Sequence, residues 1–246
     1  HLQHAEIKAW VDRLFPEGLF EIARRAEIHL CDQRTPYPFQ ANTYGLPPHI
    51  ISDCVLGYFR AREMQAAGEF SEPKSFDDII RQRMGDGIAK HFMIPYNTKM
   101  WTVAPSEMSF EWCGRFVPLP TPQEVIQGAL MPSGARHSLG YNSTFFYPKS
   151  GGIGELAKRL SEELGPHLKC GSTAHQIDWK HKIVRTETGE EYSYQRLIST
   201  MPLPVLVSTL MDAPEPIIKA ANQLRSTSVT YWNIGFKGAA RDDAAH

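Results

Sequence analysis

A mixed α/β fold, helical in its middle and strand-bearing towards both ends, is what the sequence predicts. Three observations lead there. Residues 47–101 carry helix starts and helix-spaced apolar positions, with few strand signals. Short runs of β-branched and aromatic residues bounded by Pro and Gly lie on either side, at Phe20–Cys31 and from Phe145 onwards. The composition, 42% hydrophobic and 22% charged over 246 residues, is ordinary for a globular chain and sufficient for one large domain or two smaller ones.

The elements follow in order. Ile7, Trp10, Val11 and Leu14 share one helix face, and Pro16-Glu17-Gly18 ends that helix. Ile28 and Leu30 alternate with polar neighbours as in a strand. The prolines of Pro36-Tyr37-Pro38-Phe39 hold that segment extended. Pro47-Pro48 opens a long helix reaching about Ala67. Ser75 caps the next helix with Asp78 in its first turn, and Gly85 and Gly87 break it. A further helix over Ile88–Ile94 ends near Pro95. Thr121-Pro122-Gln123-Glu124 reads as a capping box with proline at the first helical position.

Beyond Tyr141 the pattern changes. Phe145-Phe146-Tyr147 is a strand, and Gly151-Gly152-Ile153-Gly154 leads into a helix through Leu156, Leu160 and Leu164. Strands are expected at Ala174–Asp178, Lys182–Thr186, Arg196–Thr200 and Ser228–Phe236.

The net charge of -1 implies no broad attraction to nucleic acid or to an anionic membrane. No apolar run approaches the roughly 20 residues of a membrane span. Cys31, Cys54, Cys113 and Cys170 are far apart and form no C-x-x-C pair, so buried free thiols in a reducing, cytoplasmic setting are expected. The histidines lack metal-ligand spacing, no metal is expected, and Cys113 has no base near it in sequence.

Three segments could carry chemistry. The turn Gly151–Gly154 lets backbone approach a ligand and aims N–H groups at an anion, or is simply a tight strand-to-helix turn. It lacks the G-x-G-x-x-G spacing of a dinucleotide fingerprint. Phe92–Trp101 sets aromatic rings beside an amide and an amine, as suits a flat polar ligand, or fills a core. Pro36–Asn42 offers Gln40 and Asn42 from a stiff segment, or is an edge strand.

Taken in order, these segments resemble the UDP-galactopyranose mutases, within the amine oxidase and protoporphyrinogen oxidase superfamily. The resemblance rests on Tyr37-Pro38-Phe39-Gln40, then Pro95-Tyr96-Asn97-Thr98-Lys99-Met100-Trp101, then Asn142–Pro148 with the glycine turn, then Leu197-Ile198-Ser199-Thr200-Met201-Pro202. It implies an internal piece of a larger FAD-dependent enzyme whose pyrophosphate-binding βαβ unit lies before His1. Such a piece alone is not expected to be active. It also implies a partial FAD-dependent oxidoreductase fold with a helical insertion and an antiparallel substrate-domain sheet. Residues 1–46 and 115–147 would be substrate-domain strands and connections, and 47–114 a helical substrate-binding domain. Residues 148–212 would form part of the FAD domain, and 213–246 would return to the sheet.

On this resemblance Phe39, Gln40, Tyr96, Asn97 and Trp101 line a uridine nucleotide pocket, and Asn142 is a substrate-side amide. Gly151, Gly152, Gly154, Ala174, Ser199 and Thr200 lie on the FAD side. Arg115 and Lys237 are the candidates for the substrate diphosphate, Arg115 displaced by one residue from the family register and Lys237 replacing an arginine. The implied partner is a nucleotide-sugar. The implied reaction is ring contraction with reduced flavin N5 as nucleophile, and no side chain of this chain is expected to perform the chemical step. A flavin-dependent oxidase or desaturase is the alternative, and a non-catalytic binding module the second.

Overall fold

The computed structural model describes residues 4–23, 26–113, 117–132, 144–232, 234–235 and 237–238. The chain divides into two compact units, residues 1–155 with 233–246, and residues 156–232.

In the first unit, α1 (Ala5–Leu14) ends where expected and buries Val11. Strand β1 (Leu19–Ala23) pairs antiparallel with β4 (Thr144–Pro148), from Leu19 opposite Pro148 to Ala23 opposite Thr144. Strands β2 (Glu27–Leu30) and β3 (Gln33–Pro36) form a hairpin turned by Cys31 and Asp32, both left-handed at φ 51° and 56°. Where the prolines predict extended chain, Phe39–Ala41 closes into a buried 3-10 turn instead.

The core of this unit is helical. Helix α2 (Pro48–Ala67) has the bounds read from the sequence, with proline at its start and Gly68 left-handed at its end. Its inward face is Ile50, Cys54, Tyr58 and Ala61, spaced by four, four and three. It packs on α3 (Phe76–Ile88), whose inward face is Phe76, Ile80, Met84 and Ile88. Gly85 interrupts α3 as expected, leaving the helical region at φ 79° and kinking the element, whereas Gly87 lies within the helical turn that resumes and runs to Ile88. A side chain at Gly85 or Gly87 would strike the α2 backbone, at Gly57 and Asp53 respectively, so the two helices meet backbone to backbone along a glycine seam.

A π-helical turn (Ala89–Met93) then leads into α4 (Ile94–Trp101). Pro95 therefore opens a helix rather than closing one, because the first helical turn has no need of its missing N–H. Helix α5 (Pro122–Leu130) has the expected capping box, Thr121 Oγ1 accepting from Glu124 N and Glu124 Oε2 from Thr121 N. It is pinned by Gly128, whose carbonyl accepts from the backbone N–H of Thr43 and Tyr44.

At the start of α3 the Asp78 carboxylate accepts from the backbone N–H of Lys74 (2.9 Å) and Ser75 (3.0 Å), while Ser75 Oγ accepts from Asp78 N. The hydrogen bond from Lys74, then those from Ser75, hold the Asp78 carboxyl below the usual range. A carboxyl lowered by folding stabilises the fold above its unfolded value, and the contribution fades as pH falls through the lower, folded one. Asp78→Ala is thus expected to cost about 1 kcal/mol at neutral pH and much less in strong acid. Denaturant unfolding of the two proteins across acid pH reads the difference.

The second unit opens with α6 (Gly154–Leu164), which starts in the first and runs on from the glycine turn as expected. Strands β5 (Ala174–Asp178), β6 (Ile183–Thr186) and β7 (Glu191–Ser193) form an antiparallel sheet. Asp178 shapes the β5–β6 turn by accepting from His181 N at 2.9 Å. Helices α7 (Leu203–Thr209) and α8 (Glu215–Gln223) follow, and Ile177 forms a parallel bridge with Leu210. Proline opens both helices, and neither was expected from the sequence.

Three expectations are corrected. Arg196–Thr200 is not a strand, and Ile198 is 90% exposed. The described part of Ser228–Phe236 is not a strand either, and Val229, Tyr231, Trp232 and Ile234 lie open. Both runs have strand composition, but a strand exists only with a ladder partner, and none of the described strands pairs with them. Thirdly, only Cys54 and Cys113 are buried thiols; Cys31, in the hairpin turn, and Cys170 are exposed. No helix among the described residues is long and apolar enough to cross a membrane.

Candidate functional site

The π-turn and α4 place aromatic and amide side chains on one stripe. Phe92, Tyr96 and Met100 are spaced by four, as are Met93, Asn97 and Trp101, so the two rows lie side by side on one helix face. Both rows line a cavity of about 380 Å³, closed elsewhere by Tyr37, Gln40, Trp112, Val117 and Pro118. Gln40, Tyr96, Asn97 and Trp101, read separately from the sequence, thus come together.

Phe39 stands behind them, fully buried. Its ring stacks on Phe92 at 4.7 Å, and Phe92 stacks on Tyr96 at 4.9 Å, with interplanar angles of 16° and 18°. The three parallel rings form a column rooted in the core, and its last member, Tyr96, is 42% exposed. A platform held from behind loses little conformational entropy when a flat ligand stacks on it. Trp101 and Trp112 meet edge to face at 5.9 Å, and Trp112 packs on Phe76 at 5.0 Å.

The amides are fixed too. Gln40, 3% exposed, donates from Nε2 to the Pro118 carbonyl at 2.5 Å. A carbonyl only accepts, which assigns the NH₂ end to Pro118 and leaves Gln40 Oε1 as a buried acceptor. Asn97, 5% exposed, donates from Nδ2 to the Met93 carbonyl at 2.7 Å. A buried polar rim of this kind orients a ligand rather than binding it strongly by itself.

Other concavities differ. An apolar one of about 330 Å³, between Phe76, Ile80, Met84 and Phe110, contains Cys113, whose thiol is pushed up chiefly by burial and donates to the Phe110 carbonyl. Burial likewise pushes the Cys54 thiol up to about 12, so neither buried cysteine is a thiolate nucleophile. Another, about 820 Å³, is a groove on the α2–α3 face with mixed charges, lined by none of the residues expected to bind a ligand. At its edge, Asp53 accepts from His91 Nε2 at 2.8 Å, and this bond, assisted by Lys90, holds its carboxyl below the usual range.

Arg115 and Asn142 lie outside the described residues. Lys237 is exposed at a bend and does not line the Tyr96 cavity. Gly151 and Gly152 are both left-handed, at φ 76° and 72°; the Glu155 side chain lies against Gly151 and the Tyr147 hydroxyl near Gly152, while a side chain at Gly154 would meet nothing within 4 Å. In the second unit, Ala174 begins β5 opposite Thr186, and Ser199 Oγ accepts from Met201 N beside the exposed Thr200. Tyr37, Phe92, Met93 and Met100 also line the Tyr96 cavity from within the candidate segments, though not singled out as site residues, whereas Trp112, Val117 and Pro118 were missed altogether. Helical spacing of four joins Phe92 and Met93 to Tyr96 and Asn97; no local signal marks Trp112 or Pro118.

A sequence model of the family described as flavin containing amine oxidoreductase matches residues 61–245, well over half of the chain. Among solved structures, the chain is similar to one titled as the crystal structure of reduced UDP-galactopyranose mutase. The identity is 28% and the TM-score 0.74, over 87% of this chain and 47% of that one. The chain thus spans about half the length of that protein. FAD is the cofactor these matches imply, and the left-handed backbone of Gly151 and Gly152 with open space at Gly154 fits a turn that a ligand approaches closely. Matched over most of its length and in its fold, the chain belongs to the flavin containing amine oxidoreductase family.

Proposed function

We propose that this chain supplies the nucleotide-sugar pocket of an FAD-dependent enzyme of the UDP-galactopyranose mutase type. The observation that carries the proposal is the convergence of Gln40, Tyr96, Asn97 and Trp101 around one cavity, with Phe39 and Phe92 stacked behind Tyr96. Tyr96 stacks on the nucleobase. Gln40 Oε1 accepts from an imide N–H, which uracil has and cytosine lacks. Trp101 walls the nucleotide, and Asn97 keeps the stripe in register through its bond to Met93.

Arg115 meets the diphosphate; Lys237, which does not line the Tyr96 cavity, contacts it only where it extends beyond that cavity; and Asn142 approaches the sugar. The FAD contacts of the first unit are the backbones of Gly151, Gly152 and Gly154, and those of the second are Ala174, to the adenine, and Ser199-Thr200. The helical residues 47–114 form the body of the substrate domain, and 148–212 belong to the FAD domain. When bound, reduced flavin supplies the nucleophilic centre for the sugar's anomeric carbon; the chain's own part is to bind and orient.

A charge-assisted phosphate contact contributes roughly 1.5–3 kcal/mol, so Arg115→Ala and Lys237→Ala are each expected to weaken UDP binding by the full-length protein about tenfold or more. Lysine at position 237 cannot make the bidentate contact of an arginine, so Lys237→Arg should bind UDP at least as well as the unaltered protein. A UDP titration reads all four proteins. If millimolar UDP leaves the full-length protein unbound, the nucleotide-sugar reading falls. The family match then favours an oxidase, which oxygen consumption with candidate amines or other hydride donors would detect.

A further inference from the structure

The π-turn (Ala89–Met93) decides which side of α4 faces the cavity. It carries one residue more than an α-turn, so α4 is rotated by roughly 100° from where an α-helical turn in its place would set it. Turns of this type are rare and persist where their surroundings hold them. The inner side of this one is held by Phe92, stacked between Phe39 and Tyr96.

The outer side carries Lys90 and His91, and both reach one carboxylate on α2. His91 Nε2 lies 2.8 Å from Asp53 Oδ2, and Lys90 Nζ 3.5 Å from the same oxygen. The His91 side chain is 13% exposed, whereas Asp53 (45%) and Lys90 (70%) remain in contact with solvent, so His91 is the buried anchor of the trio. The contacts continue the glycine seam. Going back along α2 in steps of four, Gly57 meets the Gly85–Gly87 backbone, Asp53 meets Gly87 and His91, and His49 meets the His91 ring edge-on at 6.4 Å.

We propose that Asp53 is a positioning residue for the aromatic pocket. By gripping Lys90 and His91 from α2 it pins the π-turn, and with it the orientation of Phe92 and of the α4 stripe. Asp53 lines the outer groove and not the ligand cavity, so its influence on binding must pass through the turn. Only the binding arm of the following test rests on the nucleotide-sugar reading.

The experiment uses full-length, FAD-loaded protein labelled with fluorotryptophan, the Trp101 resonance being assigned with Trp101→Phe. Asp53→Ala is expected to shift that resonance without any ligand and to weaken UDP binding about fivefold. Asp53→Asn keeps an acceptor for His91, so it should restore the resonance and bind within about twofold of the unaltered protein. Asp77→Ala removes a different surface ion pair, with Arg81 on α3, and should change neither readout. If Asp53→Ala fails to fold, His91→Ala, which leaves Lys90 to hold the carboxylate, should move the resonance in the same direction. An unmoved Trp101 resonance with unchanged affinity overturns the proposal, as does an equal effect from Asp77→Ala. A moved resonance in a protein that does not bind UDP upholds the positioning role and rejects the nucleotide-sugar reading alone.

Discussion

Gly87→Ala is expected to destabilise the full-length protein by about 3 kcal/mol or more, lowering its melting temperature by about 6–12 °C. The added methyl would be driven into the carbonyl group of Asp53 and the amide of Cys54. These are backbone atoms in the middle of a helix and cannot rotate aside. The helices must part, which opens the packing of Cys54, Met84 and Ile88 beneath the seam. Gly68→Ala is the matched comparison. Gly68 is left-handed at φ 70° just after α2, and a side chain there would meet nothing within 4 Å. Its replacement strains only one residue and should cost about 1 kcal/mol. Thermal melts of the two variants decide the matter: equal shifts would mean that the helices do not meet through Gly87.

Tyr96→Ala should weaken UDP binding by the full-length protein about tenfold or more, since stacking on an aromatic ring contributes roughly 1–3 kcal/mol per base. Tyr96 is the exposed end of the Phe39–Phe92–Tyr96 column, so its removal leaves the buried rings in place but withdraws the platform. The melting temperature should therefore move far less than the affinity. Tyr96→Phe keeps the ring and should bind within about twofold of the unaltered protein. Calorimetric titration with UDP separates these outcomes. Unchanged affinity in Tyr96→Ala would place any nucleotide site elsewhere.

Local signals in the sequence carried the elements whose ends are chemically marked. Helix α2 has proline at its start and glycine after its end, and α3 and α5 have reciprocal capping boxes. Elements that depend on a distant partner were not legible. Arg196–Thr200 and Ser228–Ile234 have strand composition but no described ladder, and β7, with three residues, is too short for alternation to register. Gly85 was legible as an interruption of α3 because glycine disfavours helix, but nothing local showed that Gly85 and Gly87 face the α2 backbone. The site was half legible for the same reason. Tyr96, Asn97 and Trp101 share a helix face, so spacing groups them, the stiff Pro36–Asn42 segment offered Gln40, and family resemblance added Phe39. The Pro118 carbonyl that orients Gln40 comes from 78 residues away, and no local pattern could point to it.

The glycine seam also bears on the order in which contacts form. Helices α2 and α3 are joined by only the eight residues from Gly68 to Ser75, whereas β1 and β4 pair across roughly 120 residues of chain. The entropy of loop closure grows with the logarithm of length, and this difference amounts to about 2 kcal/mol in favour of the helical pair. The seam is thus the inexpensive closure and the strand pair the costly one. Because the seam's backbones touch without intervening side chains, it also admits little adjustment once formed. A folding chain that closes it early has already fixed the floor on which the π-turn and the aromatic column are built.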